Sequence, residues 1–114
     1  MSTETVYLNY NTDFTARFDV DQYVAGTGWA SATGTTGWQI RIAATRAGAA
    51  IGGLSATASE EGTTGIFAAT FDQADLQADL TAYNGRRVYV VLSKTGDVDG
   101  LYQEVQVTDS TAVS

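Results

Sequence analysis

The sequence predicts one all-β domain in which two sheets pack face to face around a single core. Apolar and polar residues alternate over several short segments, which is the period of a half-buried strand. Turn signals separate these segments at intervals of about 8 to 12 residues, a spacing typical of sandwiches and barrels. The chain has 114 residues, of which 44% are hydrophobic and 17% charged, so its length and composition suit one globular core.

Three strands are predicted in the first part of the chain. They cover residues 6–10, 14–20 and 38–44, and each alternates apolar with polar side chains. Residues 25–37 carry four glycines and almost no aliphatic bulk. We therefore expect a long, mobile loop between the second and third strands.

The middle of the chain is less regular. We expect a turn with a short strand over residues 47–53 and a further strand over 54–59. Glu60 and Glu61, followed by a glycine, indicate an exposed turn. Residues 66–71 form a predicted strand whose apolar side chains share one face.

A short helix is predicted over residues 73–83. Leu76, Leu80 and Tyr83 stand at positions i, i+4 and i+7, which lie on one face of a helix. Asp72 is the expected N-cap. A connector packed on the rim of the sandwich is favoured over a docking helix, because so short a helix needs tertiary support.

Two strands close the predicted domain. Residues 88–92 form a central strand covered on both sides, because Tyr89 and Val91 are apolar like their neighbours. Residues 94–100 read as a hairpin turn, and residues 101–108 as the last strand. We expect one domain over residues 1–114 with flexible termini at 1–4 and 109–114.

The composition argues against catalysis and against several ligand classes. The chain has no cysteine and no histidine, so it lacks the usual nucleophile–base pairs and metal ligands, and we expect no enzyme activity, cofactor or metal. Its net charge is −7, and Arg86-Arg87 is the one adjacent basic pair, which argues against nucleic acid. No apolar run would span a membrane, and residues 1–4 do not resemble a signal peptide.

The acidic motifs favour structural interpretations. Asp97-Val98-Asp99-Gly100 resembles a fragment of a calcium loop. A calcium loop of the EF-hand type carries a glutamate at its twelfth position, but the twelfth residue counted from Asp97 is Thr108, so a hairpin turn is the preferred interpretation. Asp19 and Asp21 would share one strand face as a weak cation site or, by preference, as a solvated strand end.

The aromatic residues supply the candidate binding site. Trp38 alternates with isoleucines and is expected in the core, whereas Trp29 would either fold back onto the sandwich or insert into a partner. Partner contact is predicted for Trp29, Tyr23, Gly28 and Thr35. A stacking platform of Trp29, Tyr23 and Tyr102 is an alternative that would suit a carbohydrate.

The second half of the chain resembles a known family. The segments are GIFAA at 65–69, DLQADL at 75–80, YNGRRVYVVL at 83–92 and VQV at 105–107. Together they resemble the immunoglobulin-like modules of tailed-bacteriophage virion proteins, including head-decoration proteins and the N-terminal domains of baseplate upper proteins. The resemblance covers about residues 35–108 and implies an immunoglobulin-like β-sandwich of about seven strands with one short helix.

The function implied by this resemblance is structural. We expect a capsid decoration or cement protein, made in the host cytoplasm and located in the virion, that binds the major capsid protein and can form a homo-oligomer on the particle. Baseplate proteins of this kind continue beyond the module, so the end at Ser114 favours a stand-alone protein. A tail, neck or baseplate accessory protein is the alternative within this class, and a carbohydrate- or surface-binding module is the alternative outside it.

Overall fold

A computed structural model describes residues 6–94 and 101–109. Three expectations fall wholly or partly outside these ranges. They are the flexible termini at residues 1–4 and 109–114, of which residue 109 is described, and the hairpin turn that contains the Asp97-Val98-Asp99-Gly100 motif.

The described part of the chain forms ten strands and one α-helix. The strands are β1 (Tyr7–Asn9), β2 (Phe14–Asp19), β3 (Asp21–Val24), β4 (Gly28–Ser31), β5 (Trp38–Ala43), β6 (Ala50–Thr57), β7 (Ser59–Glu60), β8 (Ile66–Phe71), β9 (Arg87–Lys94) and β10 (Tyr102–Thr108). Helix α1 spans Gln73–Leu80 and continues into a 3₁₀ turn at Thr81–Tyr83.

The strands form two packed sheets and a separate hairpin. The larger sheet has the order β1-β10-β9-β5-β6, the smaller sheet has the order β2-β8-β7, and β3 pairs with β4 alone. Every pairing is antiparallel except that of β1 with β10. The prediction of an all-β sandwich with one short helix is confirmed.

The core lies between the two sheets because alternate side chains of each strand face inward. Trp38 of β5 is 6% exposed, and its ring centroid lies 5.5 Å from that of Phe67 on β8. Strand β9 lies between β10 and β5. Val91 lies on the face of β9 that points away from the core between the sheets, and it is also fully buried. The predictions of a core tryptophan and of a central strand are therefore confirmed.

Helix α1 is the predicted connector, but a different residue caps it. Leu76 and Leu80 are fully buried, and the helix packs against β6. Asp72 occupies the N-cap position without a side-chain hydrogen bond. The Gln73 amide donates instead to Asp13 Oδ1 at 2.8 Å, across 60 residues of sequence.

Two parts of the strand prediction are wrong. Residues 47–59 do not divide into two short strands, because Ala50–Thr57 is continuous and pairs with β5. Residues 25–37 are not one long loop, because Gly28–Ser31 pairs with Asp21–Val24. The low aliphatic content hid this hairpin, whose turn uses positive φ angles at Gly26 (82°) and Gly28 (95°).

Candidate functional site

The hairpin β3–β4 carries an exposed aromatic pair. Tyr23 and Trp29 are direct cross-strand partners, with ring centroids 5.8 Å apart in an edge-to-face arrangement. Tyr23 is 66% exposed and Trp29 is 73% exposed, more than any other large hydrophobic side chain whose burial the structure describes. Of the two roles considered for Trp29, folding back onto the sandwich is wrong.

The base of the hairpin is fixed to the sandwich. The Val20 amide donates to the Gly65 carbonyl at 3.0 Å, and the Ala32 amide donates to the Val20 carbonyl at 2.9 Å. Val20 and Ala32 are both buried. The hairpin that carries the aromatic pair is therefore attached to the core by backbone hydrogen bonds.

Two of the predicted contact residues shape the hairpin and the loop that follows it. Gly28 starts β4 opposite Val24 and has a positive φ. The Thr35 hydroxyl donates to the Ala32 carbonyl at 2.6 Å and accepts from Trp38 Nε1 at 2.8 Å. Thr35 is half-buried and its hydroxyl is hydrogen-bonded within the protein, so it stabilises the loop that follows the hairpin.

Glu60 is a structural anchor that the sequence interpretation missed. It was expected in an exposed turn, but it is half-buried in β7. Its carboxylate accepts the Gly34 amide at 2.9 Å and the Gly65 amide at 2.8 Å. The Gly34 amide, then the Thr33 hydroxyl and the Gly65 amide lower the pKa of Glu60, because each stabilises the carboxylate. No local sequence signal marks a partner 26 residues away.

A cleft of about 420 Å³ opens between the hairpin and the sandwich. Three of its lining residues are buried, two are exposed apolar residues, and two are exposed aspartates. The buried residues are Val20, Trp38 and Leu92, the exposed apolar residues are Trp29 and Leu101, and the exposed aspartates are Asp19 and Asp21. The cleft thus combines an apolar lining with two carboxylates.

Asp19 and Asp21 belong to two different strands. Asp19 ends β2, Asp21 begins β3, and the buried Val20 lies between them. The idea of a carboxylate pair on one strand was therefore wrong, although both residues line the cleft. Within residues 6–94 and 101–109, no three acidic side chains are grouped so that they could hold a metal ion.

Tyr102 forms its ring contacts with other residues than Tyr23 and Trp29, and it does not line the cleft. The ring centroid of Tyr102 lies 5.9 Å from that of Tyr89 and 4.3 Å from the Arg46 guanidinium carbon. A hydrogen bond to Glu104 raises the pKa of Tyr89 beside it, with that carboxylate's negative charge adding to the effect. The candidate site therefore comprises Tyr23, Trp29 and the cleft, without Tyr102.

Comparisons with known proteins give no match. No protein-family model matches the chain, and neither a curated protein nor a solved structure matches it. Within the described ranges, no helix is long and apolar enough to cross a membrane.

Proposed function

We propose that the protein is a non-catalytic structural protein of a tailed-bacteriophage virion, and specifically a decoration protein that binds the capsid lattice. The observation that carries the proposal is the exposed Tyr23–Trp29 pair on a hairpin outside both sheets. Large exposed aromatic side chains are costly to leave in water and are the commonest anchors of protein interfaces. The partner in this proposal is the major capsid protein.

The strand order supports an immunoglobulin-like assignment of the sandwich. In an immunoglobulin domain, strands B, E and D share one sheet, and strands C, F and G share the other. The order β2-β8-β7 corresponds to B-E-D, and β10-β9-β5 corresponds to G-F-C. On this assignment the hairpin β3–β4 is an insertion between strands B and C, at one end of the sandwich. Loops at the ends of such sandwiches commonly bind partners.

The geometry of the hairpin suits repeated binding to a lattice. Its base is held by backbone hydrogen bonds to buried residues, so little backbone ordering remains to oppose binding. The edge-to-face contact also restricts the Tyr23 and Trp29 rings before a partner arrives. We expect Trp29 to contribute at least about 2 kcal/mol to the interface, the range of a hot-spot residue.

The test is co-sedimentation of the purified protein with undecorated capsids of the phage that encodes it. Wild-type protein should pellet with capsids, and Trp29→Ala should weaken binding by about 30-fold or more while its melting midpoint stays within about 4 °C of wild type. Tyr23→Ala should also weaken binding, and Tyr7→Ala is its matched control, because Tyr7 is also exposed but lies on β1. Equal capsid binding by wild type and Trp29→Ala, or absence of binding by wild type, would refute the proposal.

Two alternatives lead to different results in related assays. A tail, neck or baseplate accessory protein would co-sediment with tails and not with heads. A carbohydrate-binding module is favoured by one observation, since exposed aromatic rings beside two carboxylates suit stacking on a sugar and hydrogen bonding to its hydroxyls. Binding to a glycan array without binding to capsids would establish that alternative.

A further inference from the structure

We infer that the cleft beside the hairpin receives a lysine or arginine side chain from the protein partner. This inference deepens the proposed function, because it names the chemistry by which the capsid protein would be recognised. The cleft offers an exposed indole, Trp29, and two carboxylates, Asp19 and Asp21. An indole face attracts cations, and carboxylates form the strong, charge-assisted hydrogen bonds of ammonium and guanidinium groups.

The cleft carboxylates have no cationic partner within the described part of the chain. Neither the Asp19 carboxylate nor the Asp21 carboxylate takes part in a hydrogen bond or an ion pair there. The residues outside the described ranges carry no lysine or arginine. Both carboxylates are therefore open to a cationic side chain from another molecule.

None of the chain's own basic side chains forms an ion pair with the cleft carboxylates. Four of the six contact groups outside the cleft: Arg17 pairs with Glu61, Arg41 donates to the Gly48 and Arg46 carbonyls, Arg46 lies over Tyr102, and Arg87 pairs with Glu104. Lys94 lies beside the cleft, because its Nζ is 5.5 Å from the ring centroid of the lining residue Trp38, but it forms no ion pair with Asp19 or Asp21. The sixth, Arg86, lies directly before β9. It is six positions from the cleft residue Leu92, which corresponds to a separation of about 20 Å along an extended strand.

The apolar lining specifies a long side chain rather than a bare cation. Val20, Trp38 and Leu92 are buried core residues, and the exposed Leu101 adds a further apolar surface. Lysine and arginine present three or four methylene groups that pack on such surfaces while their charged ends reach polar groups. A metal ion would gain nothing from this lining. The chain's net charge of −7 also favours approach by a basic surface.

The first experiment titrates wild-type protein with N-acetyl-L-arginine methylamide and follows the indole N–H resonances by NMR. We expect the Trp29 resonance to move, with a dissociation constant on the order of 1 mM for so small a ligand. The glutamine analogue, which lacks the charge, should produce no saturable shift. Higher salt should weaken the arginine analogue's binding, because the attraction is electrostatic.

The decisive variants change charge without changing size. Asp19→Asn combined with Asp21→Asn should weaken binding of the arginine analogue about 10-fold or more. Asp72→Asn combined with Asp75→Asn is the matched control, because it removes two charges from the helix region, which does not line the cleft. Equal weakening in both double variants, equal binding of the glutamine analogue, or saturation by a neutral methyl glycoside instead would overturn the inference.

The same variants separate this inference from the proposed function. If wild-type protein binds capsids and Asp19→Asn/Asp21→Asn binds them equally well, the cleft is not the recognition site and the decoration role stands. If the arginine analogue binds in the cleft while wild-type protein binds no capsid, the decoration role fails and the recognition of a basic side chain stands.

Discussion

Replacing Trp38 by alanine should cost about 3 to 5 kcal/mol of unfolding free energy. Trp38 is 6% exposed, and a buried tryptophan withholds about 150 to 250 Å² from water. At about 25 cal/mol per Å² this area corresponds to about 4 to 6 kcal/mol, of which alanine retains a small part. The substitution also removes the indole N–H that Thr35 accepts, and the ring against which Phe67 packs.

Urea unfolding followed by far-ultraviolet circular dichroism measures this loss without relying on tryptophan fluorescence. With an unfolding entropy of about 2.1 cal/mol/K per residue, 114 residues give a shift of about 4 °C per kcal/mol, so the melting midpoint should fall by about 12 to 20 °C. Trp29→Ala is the internal control and should cost less than about 1 kcal/mol, because that side chain is 73% exposed. Similar losses in both variants, or a Trp38→Ala loss below about 1 kcal/mol, would refute the assignment of Trp38 to the core.

Three further predictions concern the helix cap, the acidic anchor and metal independence. Asp13→Ala should destabilise by about 1 kcal/mol in urea unfolding, whereas Asp72→Ala should change stability little, because Asp13 accepts the Gln73 amide; the reverse order would contradict the cap assignment. The pKa of Glu60 is lowered on folding, so its stabilising effect is present above the ordinary value of 4.5 and is lost as pH falls through the lower folded value. Glu60→Gln should therefore reduce stability at pH 7 and flatten the loss of stability on acidification below about pH 4.5; parallel wild-type and variant curves of melting midpoint against pH would contradict this role. A chelator should leave the melting midpoint within about 2 °C, since the described residues contain no cluster of metal ligands; a fall of more than about 10 °C would reveal a structural metal ion.

The sequence predicted the elements that a local pattern of apolar and polar residues marks. Residues 66–71 form a strand with the predicted bounds, and β9 is central as its unbroken apolar run indicated. The buried pair Leu76 and Leu80 likewise follows from helical spacing. These features depend on neighbours within a few residues, so the one-dimensional pattern is sufficient to find them.

The missed features depend on partners that are distant in sequence. The helix cap joins Asp13 to Gln73, and the Glu60 carboxylate joins Gly34 to Gly65. The cleft brings Asp21 together with Leu101, 80 positions apart. The hairpin was missed for a different reason: glycine, threonine and alanine make up most of residues 25–37, so no apolar alternation marks strand β4.

The hairpin should be dispensable for folding, although it carries the candidate site. Its aromatic pair is exposed, and the residues that attach it to the core, Val20 and Ala32, lie outside its strands. Because the Ala32 amide bonds to the Val20 carbonyl, the alternation of an antiparallel ladder places Gln22 and Ala30 in the next hydrogen-bonded pair.

Such a pair can be closed by a two-residue Asn-Gly turn of type I′. A variant in which Asn-Gly replaces residues 23–29 should therefore keep the strand-rich circular dichroism spectrum, with a melting midpoint within about 5 °C of wild type. It should lose capsid binding and binding of the arginine analogue together, because Trp29, the lining residue that the hairpin tip contributes to the cleft, is removed. A collapse of the melting midpoint would mean that the hairpin is part of the core. Retained binding by a folded variant would mean that the partner contacts another surface.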